Sequence, residues 1–373
     1  MKGVASKILI ALGIILILAA ILWWAIAVNA LVKLPDDVDV VNYYEGEVTY
    51  YVNPVTGEPL AEGSEMKLPL EVEQVVKSET GEFDSSTGVV TETLKPKAGG
   101  MAQEASDFAY VLDRKSMENK KDDRAYAWEP SNVVNREGSY YPQFPIDTSK
   151  DETYRIWKNE VNEAIETEFV GEEEKEGTTV YNFKLAFEDK EVTAAYLEHM
   201  GLPAEMSFDD LKPMLKGLGV DVDAFIALAA QAMAPEDLQA LDRALQEKVP
   251  ASYRWSMEQE MSVEPKTGTP VDLYKSVETL SMKLDLTRLA QVFVILEKYK
   301  DNPALGPAIA QLASLQASMG EAQRIFMYDY VTTDESVKTG IEDAKDTAGK
   351  INLVKVYIPW ALLIVGALIL IIG

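Results

Sequence analysis

The sequence predicts an α+β protein: an antiparallel β-rich ectodomain, either a sheet or a partly closed barrel, carries an inserted helical cluster and is flanked by N- and C-terminal transmembrane helices. Two charge-free apolar runs, one near each end of the 373-residue chain, predict the transmembrane helices. Segments rich in β-branched and aromatic residues lie between them and predict strands. A change to helical periodicity over 190–250 predicts the inserted cluster.

The first apolar run covers residues 8–32 and contains no charged residue. A helix of about 25 residues, at about 1.5 Å per residue, is about 37 Å long and can cross a bilayer with some tilt. Trp23 and Trp24 lie toward its far end, where indole rings favour the headgroup region, and Lys2 and Lys7 precede it. Because lysine beside a span prefers the cytoplasm, we expect a cytoplasmic N-terminus.

A cleaved signal peptide is the alternative interpretation of this run. Val28-Asn29-Ala30 loosely resembles the small-residue site at which signal peptides are cut. The run is longer than the apolar core of about 7 to 15 residues that signal peptides have. We therefore expect an uncleaved anchor.

The second apolar run, 356–373, extends about 27 Å as a helix. Tyr357 and Trp360 lie at its entrance, and Lys350 and Lys355 come just before them. Since no polar residue interrupts the run, a membrane span is favoured over a buried core helix.

These two spans predict a two-pass protein of the cell membrane with both termini cytoplasmic and the ectodomain extracellular or periplasmic. The predicted segments are a cytoplasmic N-terminus 1–7, transmembrane helix 8–32, ectodomain 33–352 with its helical insertion at about 190–250, and transmembrane helix 353–373.

Strands are predicted at 38–52, 89–94, 105–113, 178–188, 252–263, 271–285 and 322–332. The pattern Pro-x-Thr-Gly-x-Pro occurs at 54–59 and again at 265–270. Proline presets φ for a turn and glycine accepts positive φ, so each copy can join two antiparallel strands, as can the shorter turn at 84–89. Ligand binding by these loops is the alternative.

Helices are predicted at 192–200, 207–216, 221–233, 235–248, 287–300, 303–319 and 333–350. Ser207-x-x-Asp210 is a helix-capping pattern, and Pro235 suits a first helical turn. Residues 113–155 have little periodicity, and we expect ordered loops and short strands laid over the sheet.

Composition excludes several classes of function. The net charge of −26 and the pI of about 4.5 argue against nucleic-acid binding, because the chain repels phosphates. There is no cysteine, His199 is the only histidine, and glycine-rich phosphate loops are absent, so thiol, two-histidine and common nucleotide sites are excluded. We predict no enzyme, no catalytic, metal or cofactor-binding residue and no cofactor. An enzyme that uses carboxylates alone is the alternative, although no pair can be nominated.

Three other groups of residues have both a structural and a functional interpretation. The acidic runs 36–39 and 172–176 could hold Ca²⁺ but lack the spacing of an EF-hand, which favours solvated charge. The aromatic stretch 140–145 could line an apolar pocket or fill the core. One helix face would pack internally or, if exposed, bind a partner: Phe225, Ile226, Leu228, Ala229 and Met233.

Short motifs along nearly the whole chain resemble the PorA-like family of double-spanning surface proteins, a domain of unknown function labelled "porin". They are Leu34-Pro35, Tyr110 to Arg114, Asn135 to Pro145, Tyr154 to Trp157, Val263 to Gly268 and Ile358-Pro359. The family label implies a pore. A porin barrel, however, needs many amphipathic membrane strands, whereas both apolar runs here lack a polar stripe that could face a lumen.

The overall plan is also similar in architecture to the class B scavenger receptors, which bind and pass lipids through an ectodomain tunnel. That likeness implies a membrane-anchored, receptor-like protein that binds or passes a lipid or another hydrophobic ligand, with no ligand-binding residue identified. The alternatives are a structural or adhesion component of the envelope and a pore component. Expected partners are the lipid bilayer, a hydrophobic ligand and further copies of the chain, without nucleic acid.

Overall fold

A computed structural model describes residues 2–53, 56–61, 63–79, 81–217, 219–319 and 321–373. It confirms the α+β fold: an antiparallel sheet curls into a half-barrel, helices gather at one end of it, and an apolar helix lies at each terminus. Pro54 and Val55 of the first predicted Pro-x-Thr-Gly-x-Pro turn lie outside the described residues.

The strands of the described chain are β1 (Asp39–Tyr50), β2 (Met66–Ser78), β3 (Thr87–Ala98), β4 (Met101–Ala102), β5 (Ser106–Asp113), β6 (Tyr126–Val133), β7 (Arg155–Lys158), β8 (Glu163–Lys175), β9 (Thr178–Glu191), β10 (Glu205–Met206), β11 (Val249–Glu264), β12 (Thr269–Leu284) and β13 (Gln323–Thr332). Each of the predicted strands is present.

The α-helices are α1 (Lys2–Leu22), α2 (Val28–Leu31), α3 (Ala194–His199), α4 (Phe208–Gly217), α5 (Val222–Ala232), α6 (Pro235–Leu245), α7 (Ala290–Glu297), α8 (Gly306–Met319), α9 (Asp334–Asn352) and α10 (Ile358–Ile372). A π-helical turn, Trp23–Ala27, joins α1 to α2, and another, Leu353–Tyr357, joins α9 to α10. A 3-10 turn, Leu286–Leu289, precedes α7.

The long sheet has the strand order β6-β5-β3-β2-β1-β13-β12-β11-β9-β8-β7. Its neighbouring strands are antiparallel, and most are joined by hairpins such as the one that Gly268, with φ of +74°, helps to close between β11 and β12. The first and last strands, β1 and β13, are neighbours with Tyr44 opposite Thr332. This pairing brings the two ends of the domain together.

Six helices form what we call the helical tip, which comprises α3 to α8. Four of them connect β9 to β11, as predicted, and α7 and α8 connect β12 to β13 at the same end of the sheet. Gln311 of α8 donates a hydrogen bond to the Gly219 carbonyl over 3.1 Å, and Lys298 pairs with Asp237 at 2.7 Å. The two sets of helices therefore pack as one cluster.

The apolar terminal helices adjoin the opposite end of the half-barrel. Asp147 pairs with Lys266 in the β11–β12 turn at 2.6 Å and also with Lys355 of the second π-helical turn. Ile341 of α9 packs with Val271 of β12 in a small buried cluster. The sheet is thus joined to the apolar α10 through α9 and the π-helical turn, without a flexible linker.

The terminal helices pack antiparallel, since Ser6 donates a hydrogen bond to the Gly373 carbonyl at one end and Trp23 donates to the Val354 carbonyl at the other, over 2.9 Å. They approach closely at Gly13, where an added Cβ would lie 2.8 Å from the Gly366 carbonyl oxygen. Only 11% of the most apolar stretch of each helix is buried within the protein. Two long, uncovered apolar helices fit a membrane protein.

Candidate functional site

The helical tip encloses an apolar cavity of about 70 Å³. Its lining consists of Phe208, Leu211, Leu215, Val220, Val222, Phe225, Ile226, Leu241, Leu245, Leu286, Leu289, Val292, Phe293, Leu296 and Leu312. Because no polar side chain lines this space, it offers a ligand burial of apolar surface and no directional hydrogen bond.

Local sequence signals fix the helices that build the cavity. Ser207 and Asp210 cap α4 reciprocally, with the Ser207 amide 2.8 Å from the Asp210 carboxylate. Asp221 caps α5 by accepting from the Ala224 amide at 2.9 Å, and Pro235 occupies the first turn of α6. The predicted capping pattern and helix starts therefore fix where each of these helices begins.

The strands that adjoin the helical tip are packed against one another, and none of their residues lines the cavity. Trp255, Leu280 and Phe326 stand opposite one another on β11, β12 and β13, and each is at most 4% exposed. One layer farther from the tip, Met257 and Glu278 are opposite each other and also buried. Trp255, Met257, Leu280 and Phe326 belong to one packed hydrophobic core.

A row of hydrogen-bonded polar side chains, which includes Glu278 of the second layer, crosses the concave face of the sheet. We call it the polar seam; its members are Tyr110, Glu92, Gln74, Tyr44, Tyr330, Glu278 and Gln259, on seven neighbouring strands from β5 to β11. Tyr110 donates to Glu92 over 2.9 Å, Gln74 donates to Glu92 over 2.5 Å, and Tyr44 donates to Gln74 over 2.8 Å. Burial, together with the Glu92 charge, raises the pKa of Tyr110 well above its usual value.

The other half of the polar seam is organised around Glu278. Tyr330 and Gln259 donate to one oxygen of this carboxylate over 2.7 and 3.0 Å, and the Tyr330 ring meets the Tyr44 ring edge-on at 6.0 Å. Lys158 donates to Gln259 over 2.6 Å, which brings a positive charge to this end. The buried carboxylate is therefore hydrogen-bonded, as a stable interior requires.

The segment that precedes β8 covers the polar seam, as predicted for the loops after residue 113. Arg136 is fully buried and donates to the carbonyls of Ala109 at 2.6 Å and Tyr126 at 2.8 Å. Its guanidinium also lies 4.4 Å from the ring centre of Tyr110. Burial lowers the pKa of Arg136, and the neighbouring Tyr110 and Glu92 oppose that effect.

Glu160 lies between the polar seam and the helical tip. Burial and the nearby Glu278 charge raise its pKa to about 7, although Lys158 acts in the opposite direction. One of its carboxylate oxygens and the indole nitrogen of Trp255 have no hydrogen-bond partner within the described part of the chain. Both residues adjoin Tyr196 of α3.

His199 has a structural environment. Its Nε2 lies 2.9 Å from the Ser106 hydroxyl, and its ring stacks on Trp128 with 4.9 Å between ring centres. Burial lowers the pKa of this imidazole. No cluster of three metal-ligating His, Asp or Glu side chains occurs among the residues that the structure describes.

The other residues singled out by sequence are distributed between core and surface. Phe144 packs with Tyr154 and Phe183 in the core, away from the cavity lining. Phe225 and Ala229 of α5 and Met233 just after it are buried, whereas Ile226 and Leu228 of α5 are each 38% exposed. The acidic residues at 36–37 and 172–174 are exposed, and among them Glu172 pairs with Lys150 at 3.1 Å and Glu173 with Lys175 at 3.3 Å.

Comparison with known protein families gives a match over residues 5–373 to the family described as Porin PorA. The match includes both apolar helices, the whole sheet and the helical tip. The chain belongs to the PorA family. The resemblance drawn from the short motifs is thus confirmed, and no match was found among curated proteins. In this PorA family member, α1 after Lys7 and the whole of α10 carry apolar side chains.

Proposed function

We propose that this PorA family protein is a non-enzymatic, membrane-anchored, receptor-like protein that binds the hydrocarbon part of a lipid or a similar ligand in the helical tip. The observation that carries the proposal is the wholly apolar lining of the cavity. A hydrocarbon chain gains roughly 0.8 kcal/mol for each CH₂ group removed from water, whereas a polar group would lose its hydration there without replacement.

The packed layers beneath the cavity favour binding over passage. Along their strands, Trp255, Leu280 and Phe326 lie between the helical tip and the polar seam, and the seam itself would be costly for a hydrocarbon chain to cross. The ligand therefore inserts from the mouth, where Ile226 is partly exposed, and leaves by the same route.

The two apolar helices support anchoring at both ends. We propose that both span the cell membrane, that both termini are cytoplasmic and that the sheet and tip lie outside. Antiparallel packing, with Ser6 beside Gly373, puts both termini at the same end of the pair, and Lys2 and Lys7 favour the cytoplasmic side. Protease protection of tags at the two termini in sealed vesicles tests this topology.

Lipid extraction from the detergent-purified full chain, followed by mass spectrometry, tests the binding proposal. We expect a hydrophobic compound at near-stoichiometric amount in the natural protein. Val292→Phe places extra carbons in the cavity and should lower the amount retained by about tenfold, which corresponds to about 1.4 kcal/mol. Val133→Phe makes the same change at a site that is 51% exposed and should leave retention unchanged.

Retention that is equal in the two variants would contradict the proposal. An absence of any hydrophobic compound, together with no binding of an added fluorescent fatty acid, would do so as well. The family label attributes a pore to PorA proteins, and conductance of the purified chain in a planar bilayer would test that activity for this protein.

A further inference from the structure

We propose that the side chains of Lys158 and Gln259 join in an intramolecular isopeptide bond, which ties the edge strand β7 to the interior strand β11 and releases ammonia. This covalent modification of the polar seam is independent of ligand binding in the helical tip. Three observations carry it: the contact between the two side chains, the carboxylate beside the amide, and the burial of the group.

The Lys158 amine and the Gln259 amide are already in contact. Nζ of Lys158 lies 2.6 Å from Oε1 of Gln259. The amide carbon is one C=O bond farther along, so it lies at most about 3.8 Å from Nζ. Reacting atoms in a productive arrangement are about 3 to 3.5 Å apart. A small rotation of the flexible lysine stem therefore brings the nitrogen over the carbon.

The Gln259 amide is held in one orientation by its neighbours. Its Nε2 donates to the Glu278 carboxylate over 3.0 Å and to the Ser276 hydroxyl over 3.1 Å. In the reverse orientation the amide oxygen would face a carboxylate and the NH₂ group would face an ammonium, so both contacts would be repulsive. The carbonyl of Gln259 therefore faces the lysine, and the NH₂ group, which has to leave, faces Glu278.

The amide is also shielded from water. Gln259, Ser276 and Glu278 are each at most 5% exposed. Water competes with an amine as the nucleophile for a carboxamide carbon, and burial excludes it from Gln259. Lys158 is partly exposed, which gives its ammonium a route to lose a proton to solvent. The surroundings thus favour attack by the lysine over hydrolysis of the amide.

The bond-forming step conserves atoms and electrons. Lys158 loses one proton to solvent, and its nitrogen lone pair attacks Cδ of Gln259. Glu278 takes a second proton from that nitrogen and passes it to Nε2, which is already its hydrogen-bond partner. The Cδ–Nε2 bond breaks and ammonia leaves, while the new amide joins Nζ to Cδ. The step needs neither an oxidant nor a reductant.

The bond gives the domain a covalent link that a disulfide cannot supply, because the chain has no cysteine. Lys158 lies on β7 at one edge of the long sheet, and 101 positions separate it from Gln259. A link that closes so long a loop restricts the unfolded chain and so stabilises the folded one. It also holds the segment that precedes β8 in place over the polar seam.

Mass spectrometry of the purified full chain tests the bond. We expect the natural protein to weigh about 17 Da less than its sequence requires, which is the mass of one ammonia molecule. Protease digestion should give a branched peptide that contains both Lys158 and Gln259. Lys158→Met removes the nucleophile and Glu278→Gln removes the proton carrier, so each variant should have its full mass. Under denaturing electrophoresis the natural chain should migrate ahead of Lys158→Met, because the link keeps the unfolded chain compact.

Lys184→Met is the matched control, because Lys184 pairs over 2.6 Å with the carboxylate of Glu258. This variant should keep the mass loss and the branched peptide. A natural protein of full mass would overturn the inference, as would a mass loss that persists in Lys158→Met. A gain of about 1 Da at Gln259 would overturn it as well, since it would show that water and not the lysine attacks the amide.

Discussion

Glu160 shows how single residues in this protein are set by their surroundings. It belongs to the part of the chain that covers the polar seam, next to Lys158, and one of its carboxylate oxygens lacks a hydrogen-bond partner within the described structure. The seam supplies two further buried carboxylates: Glu92 accepts hydrogen bonds at both oxygens, and Glu278 accepts from Tyr330 and Gln259 at one oxygen. Of the three carboxylates Glu92, Glu160 and Glu278, Glu160 therefore has the fewest hydrogen bonds to offset the cost of burying its charge.

The raised pKa of Glu160 predicts a pH-dependent stability. A carboxyl group whose pKa rises from the usual 4.5 to about 7 on folding adds stability below pH 4.5, and this stability is lost as pH rises through 7. Glu160→Gln should therefore increase the free energy of unfolding at pH 8 by up to about 3 kcal/mol and change it little at pH 4.

Denaturant unfolding of the full chain at these two pH values measures the effect. Glu168→Gln alters an exposed carboxylate on β8 and should shift neither curve. If Glu160→Gln destabilised the protein more at pH 8 than at pH 4, Glu160 would have to be ionised and stabilising, contrary to this prediction.

At the scale of elements, the contact between the terminal helices depends on small residues and on tryptophan. Trp23 and Trp24 donate indole hydrogen bonds to the Val354 and Lys355 carbonyls over 2.9 Å. Those carbonyls belong to a π-helical turn, where regular α-helical pairing is interrupted. The tryptophans, predicted as headgroup anchors, thus also bind one helix to the other.

Gly13 allows the two helices to approach, so Gly13→Leu should push them apart. An added Cβ there would lie 2.6 Å from Leu370 Cγ, too close to be accommodated without movement. The chain has no natural cysteine, so cysteines introduced at Ser6 and Gly373 report this distance directly by disulfide formation. We expect the yield to fall at least about fivefold.

Gly3→Leu is the matched control, because nothing lies within 4 Å of its added Cβ. It should leave the cross-linking yield unchanged. Full cross-linking in the Gly13→Leu variant would show that the close crossing at this glycine is not required for the helices to pair.

The elements that the sequence predicts correctly are those with one dominant pattern. Strand β11 alternates buried and partly exposed residues along most of its length, and its apolar residues reveal it. Strands β2 and β8 were not predicted, because their solvent-facing positions carry many Glu and Lys residues that are unfavourable in strand statistics. The polar seam was also missed, since its members are isolated polar residues on seven separate strands and adjoin only after the sheet has curled.

The cavity was predicted as a possibility but not located. The sequence shows apolar helix faces, and packing decides whether such faces meet fully or leave a gap. The aromatic stretch 140–145 looked like the richer pocket candidate, yet Phe144 fills the core and the gap lies among leucine and valine side chains of the tip.

At the scale of the whole molecule, the pairing of β1 with β13 explains why the apolar helices at the two ends of the chain lie side by side. The strands nearest the two terminal helices are neighbours in the sheet, so both helices leave the domain on the same side. Two such helices bury a small crossing surface and leave the rest for lipid.

This arrangement predicts that a single copy of the chain conducts no ions. Neither α1 nor α10 presents a polar stripe, and two helices cannot enclose a lumen. Purified full chain in planar bilayers should give no current steps above background, with a bacterial barrel porin as the positive control. Reproducible steps that scale with protein concentration would contradict this prediction and favour an oligomeric pore.

The continuous helical segment from Asp334 to Ile372, in which a π-helical turn joins α9 to α10, has a mechanical consequence. It has 39 residues, about 58 Å of rod, with one half docked on β12 and the other half apolar. Because one half of this helical segment is packed on the sheet, the two move together. If a thinner bilayer tilts the apolar half, the sheet tilts by the same angle. The thickness of the anchoring bilayer would then decide how far, and in which direction, the opposite end of the molecule reaches.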